Sequence, residues 1–118
     1  FDEFNTNIVY SIPCKNCQKQ YIGQTSQYIH KRMRQHELSV THHKSRNFQS
    51  TLVQHSIENS HNFTFEPNIL YREDCTFKRL FSESSLIFLN SSNSVNKRSD
   101  HNIIHDSYLN FLNLIKNN

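Results

Sequence analysis

Short β-patterned runs open this chain and helical spacing follows them. Asn7 to Ile12 is rich in β-branched residues and tyrosine and predicts a strand, closed by Pro13, which has no N–H to give a ladder. Gln18 to Ile22 predicts a second short strand, closed by Gly23, the only glycine. With about five residues between them, the two make an antiparallel hairpin most simply. Ser26 is placed to cap a first helix, in which Ile29 and Met33 face the core and Tyr28, Arg32 and His36 share the adjoining face. His42 to Arg46 reads as a polar, basic loop.

Phe48, Leu52 and His55 define one stripe of a second helix, which runs out at Asn59-Ser60-His61. Phe63 to Arg72 predicts a third strand. A third helix is expected from Thr76 to Asn90, with Phe77, Leu80, Phe81, Ser84, Ile87 and Phe88 at helical spacing and Glu83 at the margin. A polar loop from Ser91 to Asp100 precedes an amphipathic run, Ile103 to Ile115, that could pack as a last helix. The order β-β-α-α-β-α-(α) predicts an α+β fold: a small antiparallel three-stranded sheet flanked by helices.

Length bounds the chain to one domain, residues 1–118. Only 35% of the residues are hydrophobic, so the core will be thin and a metal staple would matter. A net charge of +3 permits nucleic acid without demanding it. No apolar run is long enough to span a membrane, and no leader pattern opens the chain. A soluble domain is expected, and Phe1 in place of Met suggests that it is cut from a longer polypeptide. Asn62-Phe63-Thr64 is read as a chance match to a glycosylation signal. Three cysteines, two of them at Cys14-x2-Cys17, point to a metal half-site in a reducing compartment more than to a disulfide framework. Cys75 stands alone as a small core or surface residue.

These residues resemble the GIY-YIG nucleases. Ile8-Val9-Tyr10 stands where the first motif belongs, Tyr21-Ile22-Gly23 matches the second, and Arg32-x3-His36 matches the helix that follows. Glu83 falls where that family places a metal-binding carboxylate, and Asn96 about where it has an asparagine; the likeness covers roughly residues 7–97. Cys14-x2-Cys17 with His55-x5-His61 is similar to the cysteine and histidine set of the endonuclease domains attached to Penelope-like retroelement reverse transcriptases. The chain departs from the pattern in Ile8-Val9, which replaces glycine and isoleucine. Arg32 also lies one residue further from Tyr21 than in many members, which makes Lys31 a rival for its role.

The resemblance implies a DNA endonuclease that nicks DNA to prime reverse transcription by a neighbouring reverse transcriptase domain, in the nucleus. Phosphodiester hydrolysis needs an activated water, charge relief on phosphorus and help for the leaving oxygen. Arg32 suits the non-bridging oxygens, Glu83 could hold Mg2+ or Mn2+, and Tyr10, Tyr21 or His36 could orient or deprotonate the water. A phenol with an ordinary pKa near 10 is a poor base unless a cation lowers it, and Arg32 is the candidate. Cys14, Cys17, His55 and His61 would close a tetrahedral structural zinc site that ties the hairpin to the end of the second helix. Lys31, Arg34, Lys44 and Arg46 would contact DNA phosphates without reading sequence.

Each group also has a plain reading: strand aromatics for the tyrosines, a solvated helix face for Arg32 and His36, an Arg79–Glu83 ion pair, and free cysteines beside surface histidines. His101-x3-His105 is a rival histidine pair, read as surface. The competing functions are a catalytically inactive zinc-stabilised nucleic-acid-binding module and a branched-DNA repair nuclease of the same fold.

Overall fold

The computed structural model describes residues 5–42 and 50–96. Its order is β1 (Ile8–Pro13), β2 (Gln20–Thr25), α1 (Ile29–Thr41), α2 (Thr51–Asn59), β3 (Asn68–Arg72) and α3 (Thr76–Leu89). The sheet is antiparallel in the order β2-β1-β3. β1 is the middle strand, and alternation sends its side chains to two different cores. Ile8, Tyr10 and Ile12 meet Ile29 and Met33 of α1 and Leu52 and Val53 of α2. Val9 joins Ile22 and Ile87 beneath α3. The fold is α+β: among the described residues a three-stranded sheet is held between two helices on one face and one on the other.

Local chemistry sets the element ends. β2 runs past Gly23 to Thr25, so the glycine lies inside the strand instead of closing it. The reason is tertiary: Tyr10 pairs with Gly23 across the ladder, and a Cβ there would lie 2.6 Å from the Tyr10 hydroxyl oxygen. Pro13 is the last residue of β1, and its carbonyl accepts from Thr64 N–H. α1 begins after Tyr28, which caps it without a side-chain bond; Ser26 does not. Ser50 caps α2 by accepting from Val53 N–H, a contact typically worth about 1 kcal/mol. The helix ends at Ser60, in the left-handed region at φ 53°.

β3 is shorter than the sequence pattern implies, because Phe63 makes only an isolated bridge to Cys14 and Phe65 turns away at φ 52°. α3 nearly matches expectation, yet Phe77 is 64% exposed while Arg79 is buried at 2%. The Arg79 guanidinium donates to Gln24 Oε1, Asn7 Oδ1 and the Glu73 carbonyl, tying α3 to one end of all three strands. The stretch after α3 is less loop-like than its composition suggests: residues 93–95 bond to Gln20 along the outer edge of β2. Phe48, Lys44, Arg46, the run Ile103 to Ile115 and the pair His101 and His105 lie outside the described residues. No described helix is long and apolar enough to cross a membrane.

Candidate active site and metal centre

Both tyrosines point to the α1 face of the sheet, because Tyr10 pairs with Gly23 and Tyr21 with Ile12 in the antiparallel register. His36, buried on α1, comes between them. Its Nε2 is 2.8 Å from the Tyr10 hydroxyl, and its ring meets that of Tyr21 edge to face at 5.4 Å. Burial is the main cause that moves both titrations. His36 is pushed down to about 3 by desolvation and then by the Arg32 charge. Tyr10 is pushed well above the ordinary phenol range by desolvation, with Tyr21 and Glu83 adding to the rise and Arg32 opposing it by charge and hydrogen bond. Both groups are therefore neutral near pH 7, and one hydrogen bond joins the Tyr10 hydroxyl to His36 Nε2.

That electrostatic neighbourhood gathers Tyr10, Tyr21, Arg32, His36 and Glu83 from β1, β2, α1 and α3. Arg32, half-buried, is the cation at the Tyr10 phenol; its neighbours Lys31 and Arg34 are exposed on α1. Glu83 is partly buried, while the cation expected as its ion-pair partner, Arg79, spends hydrogen bonds on Gln24, Asn7 and Glu73. Tyr21 is partly exposed and Tyr10 is fully buried. Of the two phenols, Tyr21 can meet a substrate.

Asn96 sits beside the site in a supporting position. Its Oδ1 accepts from Ile22 N–H and its Nδ2 donates to the Ile22 carbonyl, both at 2.9 Å. One carboxamide thus satisfies the two backbone groups that Ile22 turns to the open edge of β2, directly between Tyr21 and Gly23.

The second cluster joins the hairpin connection to α2. Cys14 Sγ is 3.6 Å from His61 Nδ1, Cys17 Sγ is 3.5 Å from His55 Nε2, and the two imidazole nitrogens are 3.2 Å apart. All four donor atoms lie within 4.8 Å of one another. A tetrahedral zinc ion with ordinary Zn–S and Zn–N bonds has S···N edges of about 3.6 Å and an N···N edge of about 3.3 Å. Cys14–His61, Cys17–His55 and His55–His61 stand at those separations and all four donors lie within 4.8 Å, so the set fits zinc. Desolvation lowers the His55 titration and favours the neutral imidazole a metal needs. Ser56 supports the arrangement by donating to the His61 carbonyl at 2.7 Å. Cys75 is exposed at the start of α3, apart from this set.

A sheet-borne tyrosine pair, a helix-borne arginine and histidine, and a carboxylate on a further helix thus share one neighbourhood. Residues 6–79 match the GIY-YIG catalytic domain, and the chain belongs to that family of DNA nucleases. The matched stretch holds Tyr10, Tyr21, Arg32 and His36; Glu83 and Asn96 lie beyond it. Neither a curated protein nor a solved structure matches the chain.

Proposed function

We propose that this chain is a divalent-metal-dependent endonuclease that nicks DNA, with a structural zinc site, of the kind found in Penelope-like retroelements. The observation that carries the reading is the gathering of Arg32, Tyr21, His36 and Glu83 around one buried phenol, Tyr10. Arg32 holds the non-bridging oxygens of the scissile phosphate through its planar fork. Tyr21 orients the attacking water. Tyr10 stays protonated and fixes His36, which in turn fixes the Tyr21 ring. Glu83 would hold Mg2+ or Mn2+, which when bound would supply Lewis-acid relief of charge on phosphorus. As the water oxygen bonds to phosphorus, the bond to the 3′ oxygen breaks and that oxygen takes a proton, leaving a 3′ hydroxyl and a 5′ phosphate. Lys31 and Arg34 hold neighbouring phosphates without reading sequence.

In a retroelement the released 3′ hydroxyl would prime a neighbouring reverse transcriptase on nuclear DNA. The Cys14, Cys17, His55 and His61 cluster supports that subgroup over other branches of the family. Supercoiled plasmid in Mg2+ and in Mn2+ tests the chemistry, comparing the parent with Glu83→Gln at matched zinc content. Relaxation by the parent alone upholds the reading. Two inert proteins that still retain DNA would establish the binding module instead, and equal nicking by both would remove Glu83 from the site. Competition between linear and branched DNA separates element priming from repair.

A further inference from the structure

The Arg32 guanidinium is gripped by side-chain amides that have no part in the chemistry above. Arg32 Nη1 donates to Gln35 Oε1 at 2.9 Å, and Gln35 Nε2 donates to Gln27 Oε1 at 3.1 Å. The series ends on the sheet, where Gln27 N–H donates to Thr25 Oγ1 at 3.0 Å. Thr25 is the buried last residue of β2, two positions beyond Gly23.

A carboxamide has one accepting end and one donating end. Once Arg32 takes the Gln35 oxygen, only the Gln35 NH2 is left for Gln27, which must then present its own oxygen. The cation at one end therefore sets the sense of the whole series. An arginine side chain has many rotamers, so an unrestrained fork would sample many orientations near a phosphate. Gln35 holds one edge of the fork, Tyr10 engages it from the strand side, and donors remain for a phosphate.

We infer that Gln35, backed by Gln27, is a positioning residue for Arg32: the amide relay fixes the guanidinium relative to the end of β2, so that Arg32 and Tyr21 keep one geometry at the scissile phosphate. The inference rests on the nuclease reading for the role of Arg32. Neither glutamine touches reacting atoms.

Two measurements test it on the zinc-loaded chain. In 15N NMR, the parent should show resolved Arg32 Nη signals from slow guanidinium rotation. Gln35→Met, which keeps volume but removes both bonds, should collapse them, and Gln35→Glu, which keeps an acceptor, should restore most of the splitting. In nicking assays Gln35→Met should lower kcat by roughly 10- to 100-fold at unchanged KM and unchanged melting temperature, the scale expected of a misaimed group. In an Arg32→Lys background the same change should cost less than about twofold, because lysine has no fork to aim. Arg32 signals unchanged by Gln35→Met, or a full penalty persisting beside Lys at position 32, would overturn the inference. Collapsed signals in a chain that never nicks would retire the nuclease reading and leave the relay standing.

Discussion

The Tyr10 hydroxyl lies 2.8 Å from Nε2 of His36, and both side chains are buried. A phenol and an imidazole that satisfy each other inside a core make their loss asymmetric. Tyr10→Phe keeps the ring but leaves His36 Nε2 without its hydrogen-bond partner, which should cost about 1–3 kcal/mol of stability. Urea unfolding of the two proteins at pH 7 measures it, and a difference under about 0.5 kcal/mol would mean that water replaces the hydroxyl.

Gly23→Ala tests the close approach across the ladder. An added Cβ would sit 2.6 Å from the Tyr10 hydroxyl oxygen and 2.8 Å from Cζ, on a ring that is fully buried. Overpacking of this kind costs about 1–3 kcal/mol. The double variant with Tyr10→Phe should recover part of that loss, since the nearest clashing atom is gone, and thermal melts of the single and double variants decide it.

Stability should fall on mild acidification. His36 titrates near its ordinary 6.5 in the unfolded chain and at about 3 when folded, so between those values the unfolded state binds the extra proton. Its contribution is complete above about pH 6.5 and is lost progressively as pH falls toward 3. The Tyr10 shift acts at the other end, where stability drops as pH rises above the ordinary phenol range near 10. Denaturant midpoints at pH 7 and pH 5 should differ less in His36→Gln than in the parent.

Zinc removal should loosen the hairpin. One zinc per chain is expected by elemental analysis, and chelation should lower the melting temperature by at least about 10 °C, equivalent to a couple of kcal/mol in a domain of this size. Cys14→Ser should reproduce the loss without chelator. A chain that melts identically with and without chelator would show that the four side chains stand close for packing reasons alone.

Much of the candidate site was legible because its members sit in short local patterns, their roles being what the family resemblance implies. Arg32-x3-His36 is one turn of helix, and Cys14-x2-Cys17 is one tight connection, so spacing alone places each pair. The supporting residues were not legible. Arg79 reads as a surface partner for Glu83, yet it is buried against Gln24, Asn7 and Glu73, a long-range polar network that hydropathy cannot register. Gln27 and Gln35 look like ordinary helix-surface amides. Asn96 was visible only through family likeness, and its work on the Ile22 backbone depends on a chain segment returning to the edge of β2. Gly23 misled for a related reason: a lone glycine signals a turn locally, and here a ring from the neighbouring strand requires it.

The pairing of Tyr10 with Gly23 also limits how the hairpin connection can change over generations. A residue gained or lost between Cys14 and Lys19 has two outcomes. It is absorbed as a local bulge ahead of Gln20, or it slips β2 by one place and exchanges the two faces of that strand. The slip would carry the Tyr21 phenol through the sheet to the α3 side, bring Ile22 under His36 and set a side chain where Tyr10 needs bare backbone. Length drift in that connection is thus tolerable only outside the ladder, where the two tyrosine motifs keep their register to each other.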